Sequence, residues 1–335
     1  MKSVGNWERL GMKSEWTIKK LSEIADFNPR ESLRKGTVAK KVGMDKLQPS
    51  CRDIPFYELE AYTGGTKFRN GDTIMARITP CLENGKTAKV NILEEGEIGF
   101  GSTEYIVFRA KEGVDEDFLY YLVCSSIIRE PAIKSMVGSS GRQRVQTDVV
   151  ENLDIAVPSY EEQHLIGRIL RNLDDKIKIN SKINENLLHQ LHVLYLRLFG
   201  DSVMDIPLGD VVATTSGGTP SRKHDEYYSD SSICWVKSKE LLGNYIHETE
   251  EHINNLAIKQ SSAKILPEHS VLIAMYGATV GAYGVISKPM ACNQAVCALL
   301  CNENYPYTYL FQIAYESQQK FINLAVGSAQ QNISQ

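Results

Sequence analysis

The sequence has no excess of positive charge, no paired-cysteine motif and no long apolar run, and each absence narrows what it can be. Lys and Arg number 37 against 41 Asp and Glu, a formal net charge of −4. The strongly basic balance common among nucleic-acid binders is therefore missing, and any phosphate contact must come from local clusters. The seven cysteines, Cys51, Cys81, Cys124, Cys234, Cys292, Cys297 and Cys301, form no C-x-x-C pair. Their number is odd, so neither a disulfide framework nor a zinc site is expected. Cys292, Cys297 and Cys301 lie in an apolar, strand-like stretch and read as small buried hydrophobes in a reducing compartment. No stretch approaches the roughly 20 apolar residues of a membrane helix. Residues 1–15 are polar, without a signal-type apolar segment. A cytoplasmic protein with no membrane contact is expected.

Catalytic signatures are also scarce. The sequence contains no G-x-x-x-x-G-K-[ST] phosphate loop, no G-x-G-x-x-G dinucleotide fingerprint and no G-x-S-x-G elbow. Asn304-Tyr305-Pro306-Tyr307 has the wrong order for an amino-methyltransferase motif and no glycine-rich cofactor loop beside it. His189 and His192 sit three apart on a helical pattern with no third ligand in view. No metal site and no catalytic residue are expected.

What is present is a weak internal repeat. Trp16-Thr17-Ile18-Lys19-Lys20-Leu21-Ser22-Glu23-Ile24 leads into the turn Asn28-Pro29-Arg30, and Ile206-Pro207-Leu208-Gly209-Asp210-Val211-Val212 into Gly217-Gly218-Thr219-Pro220. Mid-copy, Asn70-Gly71-Asp72-Thr73-Ile74-Met75-Ala76 parallels Glu268-His269-Ser270-Val271-Leu272-Ile273-Ala274, each a polar turn before a strand-like apolar run. A helical stretch follows late in each copy, near residues 117–136 and 308–325. The copies converge again at Val137-Gly138-Ser139 before Arg142-Gln143-Arg144-Val145, and at Val326-Gly327-Ser328 before Gln330-Gln331-Asn332-Ile333.

Between the copies lies the clearest helix. Pro158 ends a strand, Ser159 can cap, and Glu162 stands three residues on, a capping box. Ile166, Leu170, Leu173, Ile177, Asn180, Asn184, Leu187, Leu191, Leu194 and Leu198 then recur at alternating spacings of four and three, a coiled-coil seam ended by Gly200. Its length is roughly 55–60 Å at 1.5 Å per residue. Asn180 and Asn184 interrupt the seam, either to fix register and partner or because they face solvent where a partner helix is offset. The helix needs a partner and can act as a ruler between two modules. The fold class is α+β: a mainly β domain in residues 1–158, a long coiled-coil-type helix in 159–200 and a second mainly β domain in 201–335.

Several ordered motifs then point one way. Ile78-Thr79-Pro80-Cys81-Leu82-Glu83-Asn84-Gly85-Lys86 is followed by Gly99-Phe100-Gly101-Ser102-Thr103-Glu104-Tyr105, Gly141-Arg142-Gln143-Arg144-Val145, Asp154-Ile155-Ala156-Val157-Pro158 and Glu161-Glu162-Gln163. This series resembles a target-recognition domain and following conserved helix of Type I restriction-modification specificity subunits. Gly217-Gly218-Thr219-Pro220-Ser221, Trp235-Val236-Lys237 and Gly277-Ala278-Thr279-Val280-Gly281 resemble a different recognition-domain subtype of that family. The resemblance spans nearly the whole chain. It implies a non-catalytic subunit in which two domains each read one half of a bipartite site in double-stranded DNA. It further implies two methyltransferase subunits that methylate adenine and restriction-translocase subunits that cleave. S-adenosylmethionine, Mg and ATP would sit on those partners and none on this chain. The family pattern continues past its second domain into a strand and helix equivalent to residues 153–198, whereas this sequence ends at Gln335, level with Gln146 of the first copy. The central helix is thus expected to lack its second conserved helix, and pairing with a second copy of the chain is one remedy.

Phosphates call for Lys, Arg or backbone amides, and base edges for bidentate Arg, Asn or Gln. The flexible segment with Ser139, Gly141, Arg142, Gln143 and Arg144 is the best base-reading candidate, and the amide-rich Gln330 and Gln331 are its counterpart. Lys67, Arg69 and Arg77 form a second group, with Lys86 beyond them. In the second copy Arg222, Lys223, Lys237, Lys239 and Tyr276 take similar places. A lone Lys or Arg is otherwise a solubilising surface charge. Two rivals stay open: a structural coiled-coil scaffold that binds protein, and an enzyme with an unrecognised active site.

Overall fold

The computed structural model describes residues 16–139, 141–200 and 206–325. It separates into two compact units that divide between Ile183 and Asn184. Among the described residues no helix is long and apolar enough to cross a membrane.

Unit 1 holds strands β1 (Thr17–Lys20), β2 (Ala25–Phe27), β3 (Val38–Val42), β4 (Glu58–Ala61), β5 (Thr66–Phe68), β6 (Thr73–Ala76), β7 (Thr87–Lys89), β8 (Gly99–Gly101), β9 (Tyr105–Ala110) and β10 (Asp154–Val157). Its helices are α1 (Leu21–Ile24), α2 (Glu116–Cys124), α3 (Ser126–Lys134) and α4 (Thr147–Glu151). One sheet runs β2-β9-β6-β7, all antiparallel, and another β4-β3-β8-β5, in which β3 and β8 are parallel. Strand β10 returns to pair with β1, Thr17 opposite Val157, which closes the unit just before the central helix.

The run Thr-Ile-Met-Ala in β6 does not alternate because both faces of the strand are covered. Successive side chains point to opposite faces. Ile74 and its partner Val107 enter one buried cluster with Val42, Phe68 and Tyr105, while Met75 and Ile106 enter another with Phe118, Leu119 and Val123. The apolar stretch near residues 117–136 is not one helix: it breaks at Ser125, whose backbone is extended. Asp115 caps α2 by accepting a hydrogen bond from Phe118 N, and Ser125 stands as the residue before α3.

Unit 2 repeats the frame. Its strands are β11 (Ala213–Ser216), β12 (Ile233–Val236), β13 (Asn244–Ile246), β14 (His252–Ile253), β15 (Val271–Ala274), β16 (Tyr283–Ile286), β17 (Ala291–Cys292) and β18 (Val296–Leu300). The main sheet runs β11-β18-β15-β16-β13. Its first four strands repeat the antiparallel order β2-β9-β6-β7 of unit 1. Strand β15 is again covered on both faces: Val271 and Ile273 meet Leu299 and Cys297 in one cluster, Leu272 and Ala274 meet Ala298 and Val296 in the other. Cys292 and Cys297 are buried, as their apolar surroundings require. Gly217 permits the close approach of β17, since a Cβ there would lie 2.0 Å from the Cys292 carbonyl oxygen.

The central helix, α5, spans Tyr160–Phe199. Its capping box is formed: Glu162 N donates to Ser159 Oγ and Ser159 N to Glu162 Oε2. Within unit 1, Ile166 packs against the core, Tyr121 Oη donates to Asp174 at 2.6 Å, and Arg52 pairs with Asp175 at 2.6 Å. From Leu173 onward the seam is exposed: Leu173 is 54%, Ile177 64% and Leu187 57% accessible, and Asn180 and Asn184 are exposed beside them. Unit 2 further contains α6 (Leu208–Val211), α7 (Asn255–Gln260) and α8 (Tyr307–Leu324). There Leu191, Leu194 and Leu198, with Tyr195 and Phe199, line an apolar groove of about 500 Å³ against Tyr305, Pro306, Tyr309 and Gln312 at the start of α8. The last part of the seam therefore faces its own unit.

Candidate nucleic-acid interface

The duplicated frame puts the sequence motifs at one place in each unit. In unit 1 the connection between β6 and β7 carries Arg77 through Lys86. It folds back on itself, with Cys81 N bonded to Ile78 O and Ala76 N to Lys86 O. In unit 2 the equivalent connection between β15 and β16 carries Tyr276 and a short 3₁₀ helix at Gly277–Thr279, closed by Ala274 N to Ala282 O.

The segment around Arg142 is stapled to the first of these connections. Thr79 N donates to Gln143 O, Val145 N to Arg77 O, and Arg144 bridges to Ile78 and Val137. Gly138 is needed in this turn: its φ is +135° and a Cβ would meet the Arg142 carbonyl oxygen at 2.9 Å. Ser139, Gly141 and Arg142 are exposed and Gln143 is half-buried. Arg142 has no side-chain partner among the described residues. Arg144 differs, because its guanidinium grips the Glu104 carboxylate with Nε at 2.9 Å from each oxygen and Nη2 at 2.6 Å. That hydrogen-bonded charge holds the Glu104 carboxyl below the ordinary glutamate range.

Two cations of the second group open onto one cleft. Lys67 and Arg77 line a cavity of about 460 Å³ with Asn28, Arg30, Thr103 and Tyr105. Lys67 donates to the Glu31 carbonyl and lies over the Tyr62 ring, while Arg77 Nη2 reaches the Val145 carbonyl at 3.3 Å. Arg77 Nε and Tyr105 Oη are buried with no hydrogen-bond partner among the described residues. Burial pushes the Tyr105 phenol pKa well up, so it stays a neutral donor. Arg30 completes the group; the sequence reading took Asn28-Pro29-Arg30 only as a turn, although a cation inside a turn was the available signal. Arg69 is exposed and its side chain has no partner among the described residues. Lys86 is turned inward, its ammonium bonded to the Met44 carbonyl at 2.8 Å.

Unit 2 arranges its candidates differently. Arg222 pairs with Glu251 and stacks on Tyr228 at 4.3 Å. Lys237 pairs with both Glu250 and Glu251, and Lys239 with Glu250. These three cations share two carboxylates on one turn and form an ion-pair network, held by Trp235 N bonding to Glu251 O at 3.1 Å. Lys223 and Tyr276 are exposed, with no side-chain hydrogen bond or ion pair among the described residues. Gln330 and Gln331 lie outside the described residues, as does Ser140.

Two copies of one β frame, each with a folded connection after the strand that both clusters cover, define a duplicated, modular protein. The chain belongs to the family described as the Type I restriction modification DNA specificity domain, whose model matches residues 13–189 and again 201–335. It is similar to the Type I restriction enzyme MjaIX specificity subunit of Methanocaldococcus jannaschii, at 27% identity over 50% of this chain and 43% of that one. It is also similar to the EcoAI specificity subunit of Escherichia coli, at 31% identity over 45% of this chain and 26% of that one. The matched part thus spans less than half of either relative. A solved Type-I restriction-modification S subunit from M. genitalium has the same fold, with a TM-score of 0.57 at 14% identity, covering 96% of this chain and 80% of that chain.

Proposed function

We propose that this chain is the DNA-specificity subunit of a Type I restriction-modification complex and performs no chemistry itself. Residues 1–158 and 201–335 are two recognition domains, each reading one half of a bipartite duplex site, and residues 159–200 are the helix that joins them. Methyltransferase subunits carrying S-adenosylmethionine, and restriction subunits using ATP and Mg, assemble on it. The observation that carries this reading is a constant frame with different residues on the same connection: Arg77 to Lys86 after β6, and Tyr276 to Gly281 after β15. A protein that reads two unlike half-sites needs that combination. The twofold match to the family supports it.

In unit 1, Arg142 and Gln143 are assigned to base edges, with Ser139, Gly141, Lys67, Arg69 and Arg77 on the backbone. Arg144 positions the segment through Glu104, and Lys86 braces the connection from within. In unit 2, Lys223 and Tyr276 are assigned to direct contact, with Gln330 and Gln331. Arg222, Lys237 and Lys239 reach DNA only by exchanging Glu250 and Glu251 for phosphates. The exposed seam at Leu173, Ile177, Asn180, Asn184 and Leu187 is covered by a partner helix, for which a second copy of the chain is one candidate.

Binding to duplex DNA tests the reading. Counterion release gives log K a slope of about −0.9 per neutralised phosphate against log salt. Four to seven phosphate contacts, from Lys67, Arg69, Arg77 and Lys223 alone to the same set with Arg222, Lys237 and Lys239, predict a slope of about −4 to −6 for the chain with its methyltransferase partner. A slope near zero removes DNA as the ligand and favours a protein-binding scaffold.

A further inference from the structure

Three side chains that the DNA-reading account does not use meet at one point in unit 2. Cys234 on β12 and His252 on β14 stand directly opposite each other across an antiparallel pair. Their side chains leave the same face, and Sγ lies 3.6 Å from Nε2. Glu248, in the turn before β14, brings Oε1 to 3.1 Å from that Sγ and 2.6 Å from that Nε2. The turn is fixed: Thr249 Oγ1 accepts from Trp235 N at 3.1 Å and donates to Glu251 O at 2.7 Å.

The pattern is a convergence and not a relay. A histidine that activates a thiol uses one ring nitrogen for the sulfur and the other for the carboxylate that orients it. Here thiol and carboxylate both meet Nε2, so three electron-pair donors surround one point, all within 4.8 Å of one another. A tetrahedral zinc ion, with Zn–S about 2.3 Å and Zn–N about 2.0–2.1 Å, sets sulfur and nitrogen about 3.5 Å apart. The Sγ to Nε2 separation of 3.6 Å fits that spacing, while the exposed Glu248 carboxylate, at 2.6 Å from Nε2, must draw back to the roughly 3.4 Å that two ligands of one ion keep. Lys288 opposes a cation by its charge, and it also contacts the thiol. Its ammonium, however, sits on the other carboxylate oxygen, Oε2, at 3.0 Å, and leaves Oε1 to face the sulfur and the imidazole.

We propose that Cys234, Glu248 and His252 bind one borderline-soft divalent metal ion, zinc by the chemistry of the donors, with water as the fourth ligand. On binding, the thiol gives up its proton to solvent and the thiolate takes the ion. The ion ties β12 to β14 and to the turn that carries Glu250 and Glu251, the anchors of Arg222, Lys237 and Lys239. The spacing of the cysteines led to the opposite expectation because the site joins distant strands and uses one cysteine only. The proposal stands apart from DNA recognition.

The test is a cobalt titration of the full chain after chelator treatment. About one equivalent of Co²⁺ is expected to bind, with a thiolate-to-cobalt charge-transfer band, intense tetrahedral d–d absorption and displacement by zinc. Cys234→Ser should abolish the charge-transfer band. Cys234 is buried, so its variant is checked for folding by circular dichroism. His252→Ala and Glu248→Gln, which alter less buried side chains, should each weaken cobalt binding by more than about 10-fold. Absence of the band in the natural chain overturns the proposal. So does a band that persists in folded Cys234→Ser, or a cobalt affinity unchanged in both His252→Ala and Glu248→Gln.

Discussion

Replacing Arg142 with alanine is expected to weaken binding of the half-site proposed for unit 1 by about 5- to 150-fold, corresponding to the roughly 1–3 kcal/mol of one good bidentate base contact. The expectation singles out Arg142 because of what surrounds it. Among the described residues its side chain has no partner, so the guanidinium reaches DNA without breaking an internal bond. Its backbone is held, with Arg142 N bonded to Ser139 O at 3.0 Å and the next residue's carbonyl bonded to Thr79 N. The fixed stem spares the cost of ordering the backbone, which leaves only the side chain's own ordering, about 0.5–1.5 kcal/mol, to be offset on binding. Arg144 is the contrast: its three bonds to Glu104 must break before it can bind elsewhere. Competition between matched and singly altered duplexes separates the roles. If Arg142 reads a base, Arg142→Ala loses discrimination at one position of one half-site. If it binds a phosphate, affinity falls uniformly and the salt slope drops by about 0.9. Unchanged affinity and unchanged discrimination would remove Arg142 from the interface.

The largest expected loss of stability follows from Asp72→Ala. Asp72 is 1% exposed and accepts hydrogen bonds from Arg109 Nε and Nη2, each at 2.7 Å, and from Arg69 N at 2.9 Å. Arg109 also pairs with Glu31 at 2.7 Å. Removing one partner of a buried pair leaves the other desolvated, at a cost of about 3–5 kcal/mol. Since Glu31 remains beside Arg109, the lower end, about 3 kcal/mol, is expected. Hydrogen exchange at the amides of β6 and β9 reports on unit 1 alone and should show this loss there while unit 2 keeps its protection. Because buried charges can be replaced together at little cost, Asp72→Leu with Arg109→Met and Glu31→Met should recover much of the loss, whereas Asp72→Leu with Arg109→Met alone leaves Glu31 unpaired and recovers less. A change below about 1 kcal/mol would show that the pair does not anchor the unit.

What the sequence revealed and what it hid divide along distance in the chain. The central helix was legible because its signals are local: Ser159 and Glu162 form the cap three residues apart, and the seam repeats every three or four. The strands at Thr73–Ala76 and Val271–Ala274 were legible as short apolar runs after polar turns, and α8 lies within a residue of the stretch expected. The helix after β9 was placed correctly but drawn as one piece, because the break at Ser125 comes from backbone geometry and not from a proline or glycine. Partnerships across the fold stayed hidden. Nothing in the sequence ties Arg144 to Glu104, Arg109 to Asp72, or Cys234 to His252, since each pair meets only once strands are in register. For the same reason lysine and arginine could be counted in advance but not sorted into free cations such as Arg69 and Arg142 and paired ones such as Lys237 and Lys239. Nor did spacing along the seam indicate that Leu191, Leu194 and Leu198 face α8, because that groove depends on packing within unit 2.

The most direct test of the central claim is to express this chain with a Type I methyltransferase subunit from the same organism and map adenine methylation across a genome by single-molecule sequencing. Recognition by two unlike domains predicts one asymmetric motif in two parts, separated by a gap of fixed length, with Arg142→Ala relaxing a position in one part only. Complete absence of methylation from a stable complex, or a motif without two separated parts, would contradict it.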